Sequence, residues 1–257
     1  MLDKPPVKTE PFVELKDVEV VYPNGTVALK PVTLDIADDQ ITVLLGPSGA
    51  GKSTLLRALN RLVVPKRGSV SVRGLGELKS KKAVRRYRLH TGMVFQQHQL
   101  IARLSALQNV LLSRIGNYSF ARSLMPLPKT DRFWALECLD RVGLLEKALV
   151  RCDSLSGGQQ QRVGIARAIA QRPNLILADE PVASLDPAAS ERVLGTLRTI
   201  CRQDGIPAVI SLHQLEYART FADRIIGLSQ GEVVFDGAPA ALHESALERI
   251  YGARSMT

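Results

Sequence analysis

One stretch limits this chain more than any other: GPSGAGKST, Gly46 to Thr54, lying between the apolar run ITVLL and the helix-like LLRALN. Its order of glycines, lysine and hydroxyls matches G-x-x-x-x-G-K-[ST] from Gly46 through Gly51 and Lys52 to Ser53. Glycine lets successive amides turn inward and form a nest for phosphate oxygens. Lys52 adds a mobile positive charge for the β- and γ-phosphates, Ser53 can place its hydroxyl on Mg²⁺, and the helix start adds partial positive charge. A strand buried on both faces, this loop and a helix, in that order, imply an α/β core with a parallel sheet that binds a nucleoside triphosphate.

Hydrolysis needs a metal ligand and a group to orient water. LILADE supplies an apolar strand ending in Asp179 and Glu180, so both carboxylates emerge where a parallel sheet keeps its ligands. Asp179 would hold Mg²⁺, directly or through water, and Glu180 would polarise the attacking water. A second anion site is written in LSGGQQQR, Leu155 to Arg162. Ser156 can cap the helix that follows, with Val163, Ala166, Ile169 and Ala170 as its apolar stripe, while Gly157 and Gly158 leave its first amides uncovered. The chain thus carries two phosphate-binding helix ends, about a hundred residues apart.

The rest of the chain reads around these motifs. Alternation from about Pro11 to Val43 suggests short antiparallel strands, GSVSVRG is a further strand, KSKKAVRRYRLH a basic helix, and TGMVFQ a return to strand. From about Gln97 to Gln171 helical patterns dominate, with the two prolines of YSFARSLMPLPKT marking a loop, so a helical lobe is expected within the α/β core. NLILAD and PAVISLH are apolar strands. Between them lies a helix capped by Asp186, opened by Pro187, faced by Val193, Leu197 and Ile200 and ended by Gly205. RIIGLSQGEVVFDG reads as a hairpin turning at Ser229 to Gly231.

With 257 residues and 45% hydrophobic side chains, one large domain is favoured over two independent ones. The net charge of +9 suits nucleic acid, anionic lipid or small anions without selecting among them. No stretch approaches the roughly 20 apolar residues that span a bilayer, so a membrane link has to pass through another protein. MLDKPPVKTEPF does not read as a signal peptide. Cys138, Cys152 and Cys201 lack metal-ligand spacing and fit reduced, packed thiols, and His90, His98 and His243 are surface or packing residues.

Together these motifs resemble the nucleotide-binding subunits of ATP-binding cassette (ABC) transporters, from about Phe12 to about Gly237. The resemblance implies a P-loop NTPase fold: a RecA-like core, an antiparallel β subdomain and an inserted helical lobe at approximately 97–171, all within a single domain over 1–257. It implies ATP and Mg²⁺ as cofactors, with ATP in the loop of Gly46, Pro47, Ser48, Gly49, Ala50, Gly51, Lys52, Ser53 and Thr54. Ala50 stands where serine is common and removes one optional hydroxyl. Tyr22 would stack on adenine. Gln96, in MVFQQ, would sense Mg²⁺ and the attacking water beside Ser53 and Asp179. His213 would reach the γ-phosphate. The resemblance also implies a head-to-tail dimer, in which Leu155, Ser156, Gly157, Gly158 and Gln159 close over the partner's ATP and Ser184, Leu185 and Asp186 cross the interface.

Within that family the closest resemblance is to phosphonate import ATPases. It is carried by GMVFQQHQLIARLSALQNVLLSRIG, by the insert ARSLMPLPKTDRFWALECLDRVGL with its Arg122, Ser123 and Leu124, by ADEPVASLDP and by SLHQLEYARTFADRIIGL. Phosphite or another phosphorus oxyanion could be driven by a near-identical ATPase. The implied partners are a second copy of the chain, integral membrane permease subunits and, through the complex, a periplasmic or extracellular substrate-binding protein. The implied location is the cytoplasmic face of the cell membrane. Gln99, Leu100, Arg103 and Leu104 are candidates for permease contact. The end of the chain soon after the last hairpin leaves no extra regulatory domain expected. Rival readings are another importer, a lipoprotein-release system, a soluble cluster-assembly ATPase and a nucleic-acid or ribosome ATPase. KSKKAVRRYR would support the last of these, but a solvated helix face explains it and no nucleic acid is expected.

Overall fold

The computed structural model describes residues 11–38, 40–97, 99–119, 122 and 125–252. The N-terminal segment read for a signal, His98, Ser123 and Leu124 lie outside the described residues. Strands β1 (Val13–Val21) and β2 (Val27–Ile36) pair antiparallel, with Val13 opposite Ile36 and Leu15 opposite Leu34. β4 (Arg67–Val72) and the two-residue β5 (Gly76–Glu77) complete a four-stranded sheet in the order β2-β1-β4-β5. Their alternation follows from burial on one face, as for Val13, Leu15, Val18 and Val20 of β1.

The continuous apolar runs go elsewhere. β3 (Ile41–Leu45), β6 (Thr91–Val94), β7 (Leu175–Asp179), β8 (Ala208–Leu212), β9 (Arg224–Ser229) and β10 (Glu232–Gly237) form a six-stranded sheet in the order β10-β9-β3-β8-β7-β6. All its pairings are parallel except the β9–β10 hairpin. Side chains leave this sheet alternately into two cores. Ile41, Val43, Leu45, Ile176, Ala178, Ala208, Ile210 and Leu212 join one; Leu44, Leu175, Leu177 and Val209 join the other. Covering on both faces is why ITVLL, LILAD and AVISL carry so few polar residues.

The second core also takes α1 (Lys52–Leu59) and the antiparallel sheet, and α2 (Lys81–Leu89) adds only Tyr87 as a fully buried residue. The basic face of α2 is solvated, as its sequence suggests. The first core holds α3 (Ala106–Leu112), α4 (Lys129–Arg141) and α5 (Gly157–Ala170), which pack on one another, and α6 (Pro187–Asp204). In this middle region the described residues contain only an isolated bridge, Ser105 to Arg151, in agreement with the helical reading. Arg122 donates to the carbonyl of Pro126 at 3.0 Å and stacks on Tyr118, tying down the proline-containing insert.

Three elements escape the sequence reading: β5, the short helix α7 (Leu215–Phe221) and α8 (Glu244–Tyr251). Ile250 of α8 lies against Gly227, where a Cβ would come within 2.4 Å of its Cδ1, so that strand position takes no larger residue without displacing the helix. TGMVFQ is strand only as far as Val94, and Phe95 and Gln96 lead away from the sheet. All three cysteines are buried; burial pushes Cys138 and Cys201 up to about 12 and raises Cys152. Among the described residues no helix is long and apolar enough to cross a membrane.

Candidate functional site

The parallel strands β3, β7 and β8 end side by side, and the polar residues that follow them meet at one place. After β3 the chain turns through Gly46 to Gly51 into α1. Gly49 has φ 80° and Gly51 φ 104°, in the left-handed region that side chains disfavour. At Gly46 a Cβ would stand 2.3 Å from the carbonyl oxygen of Leu228, and at Gly51 2.8 Å from that of Ala28, so both positions require glycine. Gly51 supplies no side-chain cap to α1, which leaves the first-turn amides of Lys52, Ser53 and Thr54 available to an anion.

Lys52 is 4% exposed, and its Nζ donates to the carbonyls of Gly46 at 2.8 Å and Pro47 at 3.0 Å. Burial lowers its pKa, and the nearby charges of Glu180 and Asp179 oppose that shift. Nζ also lies 3.3 Å from Nδ1 of His213. With an ammonium donating to Nδ1, a neutral ring carries its proton on Nε2, and Nε2 faces the Glu180 carboxylate in a close pair.

At the end of β7, Asp179 accepts from Ser53 Oγ at 2.8 Å and from Ser211 Oγ at 2.9 Å on the same carboxylate oxygen. Ser211 is fully buried on β8, directly opposite Asp179 in the parallel register, and also accepts the Glu180 amide at 2.8 Å. Sequence reasoning missed it. Its signal was a lone hydroxyl in VISL, two residues before His213. Glu180 itself adopts φ 47°, uncommon for a non-glycine residue, which turns its carboxylate toward His213.

Five of the predicted residues, Lys52, Ser53, Asp179, Glu180 and His213, therefore meet in one network. The donor set is hard oxygen: a serine hydroxyl and a carboxylate that already converge. No group of three or more His, Cys, Asp or Glu side chains that could hold a metal occurs among the described residues. Such a pair fits Mg²⁺, which takes few protein ligands and completes its shell with water and phosphate oxygens.

Tyr22 stands beside this loop at the YPNG turn, closed by hydrogen bonds between Tyr22 and Thr26 and between Gly25 and Tyr22, and its hydroxyl lies 3.2 Å from Thr54 Oγ1. Gln96 lies apart from the network, with no hydrogen bond to Asp179 or Ser53. It lines a pocket of about 380 Å³ with Gln97, Leu100, Gln160 and Ser184. Of the residues proposed for permease contact, Gln99 lines the groove between the core and the helical bundle, with Phe95, Leu112 and Arg167. Leu100 faces the Gln96 pocket, Arg103 is exposed, and the Leu104 carbonyl accepts the Cys152 amide at 3.0 Å.

The second predicted anion site lies at the start of α5, where Ser156 and Gly157 are exposed. Ser156 caps α5 through a capping box: its Oγ accepts the Gln159 amide at 3.3 Å, and Gln159 Oε1 accepts the Ser156 amide at 3.0 Å. Gln159 is thus engaged within the helix start, while the amides of Gly157 and Gly158 stay open. Leu155 is buried, and Gln160 Nε2 holds the segment by donating to the carbonyls of Cys152 and Leu155, each at 3.0 Å. Beside it runs the loop Ser184, Leu185 and Asp186. Asp186 caps α6 by accepting the Ala189 amide at 2.9 Å. Segment and loop line a common pocket of about 340 Å³ that also contains Arg162 and Arg192. Burial and the Arg192 charge lower the pKa of Arg162, whose guanidinium donates to the Val142 carbonyl at 3.0 Å. His90 and His243 sit at helix ends away from both sites.

Comparison with known proteins agrees with this geometry. Residues 29–183 match the family model described as ABC transporter. The chain is 57% identical to the phosphonates import ATP-binding protein PhnC 3 of Nostoc sp., over 94% of this chain and 92% of that one. It is 61% identical to the phosphite import ATP-binding protein PxtA of Stutzerimonas stutzeri, over 93% and 87%. Among solved structures it is similar to the dimeric ATP-binding cassette MJ0796 bound to ADP and Pi, with TM-score 0.78 and 37% identity over 88% of this chain and 98% of that one. It is also similar to cbiO1 of Clostridium perfringens, part of the transporter complex cbiONQ, with TM-score 0.81 and 26% identity over 94% of both chains.

Proposed function

We propose, from the premise that this chain belongs to the ABC transporter family as the ATP-hydrolysing subunit of an importer, that the cargo it drives inward is phosphonate or a related phosphorus oxyanion such as phosphite. The cargo reading rests on the two relatives above, each more than half identical across almost the whole chain and named for import of phosphonates and of phosphite. The chemistry rests on the network at the strand ends, where Ser211 sets Asp179 and Glu180 together.

In the proposed cycle the open amides of the Gly46–Thr54 loop and α1 receive the phosphates of ATP, and Lys52 Nζ is the cation next to them. Tyr22 flanks the base. Ser53 and Asp179 would hold Mg²⁺, which supplies charge neutralisation at the phosphates when bound; Gln96 would approach that site from its own pocket. Glu180 accepts hydrogen bonding from water and orients it for attack, while His213 fixes the Glu180 carboxylate through Nε2–H and stands beside Lys52. The outward amides of Gly157 and Gly158, with Ser156 and the Ser184–Asp186 loop, would complete the ATP site of a second copy, giving a head-to-tail dimer with two composite sites.

The chain works in this reading as one domain, with the helical lobe at approximately 97–171 as its moving part. The groove containing Phe95, Gln99, Leu112 and Arg167 receives the permease subunit. The protein then lies on the cytoplasmic face of the membrane as a peripheral subunit, joined to a substrate-binding protein only through the complex.

The test is uptake of phosphonate, phosphite and phosphate by phosphorus-starved source cells carrying either the native chain or Glu180→Gln. Loss of phosphonate uptake, with or without phosphite, is expected. Unchanged uptake of both would overturn the cargo assignment while leaving the ATP chemistry standing.

A further inference from the structure

Away from both sites, α2 and the turn that follows α1 enclose a pocket of about 460 Å³ whose wall joins cations to aliphatic side chains: Arg61, Lys81, Arg85 and Arg88 beside Val64 and Val84. Lys79 at its rim is answered by Glu77 at 2.8 Å. Lys81 and Arg85 have no ion pair among the described residues. Of the two inner guanidinium groups, that of Arg88 is fixed by backbone rather than by a carboxylate. Arg88 Nε donates to the Asn60 carbonyl at 3.0 Å, and its terminal nitrogen donates to the carbonyl of Arg61.

Arg61 turns the chain out of α1 with φ 54°, and its Nε is buried without a hydrogen-bond partner. Burial and the neighbouring Arg88 charge lower its pKa, with Glu77 opposing. Two neighbouring arginines that repel one another stand with Lys81 and Arg85 around one pocket, and none of the four has an ion pair among the described residues, so an external anion would neutralise the site. The exposed guanidinium fork of Arg85 and the ammonium of Lys81 match the oxygens of a phosphate or phosphonate group. Val64, 72% exposed at the mouth, and Val84 suit an apolar substituent attached to that group.

We propose that this pocket binds a phosphate-type oxyanion bearing an apolar group, which is the shared chemistry of an anionic lipid headgroup and a free organic phosphonate. Arg88 also lines the groove with Gln99, so an anion here adjoins the surface assigned above to the permease. The binding itself does not depend on which cargo the transporter carries.

The experiment uses the full chain with its phosphate loop saturated by a non-hydrolysable ATP analogue and Mg²⁺, so that anions cannot be scored there. One arm is equilibrium dialysis with phenylphosphonate and with inorganic phosphate. The other is co-sedimentation with vesicles of phosphatidylglycerol and phosphatidylcholine, against phosphatidylcholine alone. Saturable binding is expected in at least one arm, weakened at least tenfold in Lys81→Gln/Arg85→Gln and, independently, in Arg61→Gln, each checked for native melting. Binding in dialysis identifies a free anion; binding only to phosphatidylglycerol vesicles identifies a headgroup. Absence of saturable binding in both arms, or native affinity in Lys81→Gln/Arg85→Gln, would overturn the proposal.

Discussion

Around Lys52 the polar groups answer one another inside the chain, from Ser53 through Asp179 and Ser211 to the Glu180 amide, and from Glu180 through His213 back to Lys52. At Ser156 the capping groups are equally satisfied, yet Gly157 and Gly158, which they frame, line an outer pocket with no hydrogen bond from their amides among the described residues. The first region is assembled by the register of a parallel sheet and can hold its geometry in a single copy. The second is assembled by a local helix start and can act only on something brought from outside. In the proposed head-to-tail dimer, one chain would contain a reaction centre and, apart from it, the piece that completes the partner's.

The strongest test of the inner region is Glu180→Gln, which keeps size and hydrogen bonding but removes the base. Phosphate release should fall about 10²- to 10³-fold or more while nucleotide affinity stays near native. Lys52→Ala should lower both, since it removes a phosphate contact as well as a member of the network. Hydrolysis at the native rate by Glu180→Gln would remove Glu180 from the mechanism.

The outer region is tested by Gly158→Asp, which sets a carboxylate at the open amides. The Gly158 Cβ position lies 3.4 Å from Ala189 Cβ, which lines the same pocket, and meets nothing else outside its own helix within 4 Å, so the first atom of the new side chain is accommodated beside the open amides. Hydrolysis should drop by roughly 10²-fold while ATP binding by separate monomers is unaffected. Mixing the Glu180→Gln and Gly158→Asp chains then sharpens the comparison. In a head-to-tail dimer one composite site carries both defects and the other carries neither, so phosphate release should reappear on mixing two inactive proteins. Failure to recover would mean that the two regions do not complete each other across copies.

What the sequence made legible divides along the same line. The glycine loop, Asp179 and Glu180, and the capped start at Ser156 are local patterns, in which neighbouring residues alone specify the geometry. Ser211 is the opposite case: within VISL it is one hydroxyl in an apolar strand, and only the pairing of β7 with β8 sets it opposite Asp179. Gln159 carries a local signal that the motif reading left unused. The S-x-x-Q spacing at Ser156 and Gln159 was a capping-box signal, and the structure uses it as one. Gln99 takes φ 46° and lines both the Gln96 pocket, which it shares with Leu100, and the groove with Phe95 and Leu112, a double position invisible to periodicity. The helix α8 was missed because its burial rests on two residues, Ala246 and Ile250, against a distant strand.

The smallest expected effect concerns Asp186, where inner and outer roles overlap. Its carboxylate caps α6, yet it sits in the loop that lines the outward pocket. Asparagine caps as well as aspartate, whereas alanine forfeits the bond at about 1 kcal/mol. Thermal melting should therefore be unchanged in Asp186→Asn and lowered by roughly 2–4 °C in Asp186→Ala. If the negative charge also acts across the dimer, Asp186→Asn should retain its melting temperature and lose several-fold in hydrolysis, a separation that a cap alone cannot produce. Equal hydrolysis in the native chain and Asp186→Asn would assign the residue to α6 alone and leave the outward chemistry to Ser156, Gly157 and Gly158.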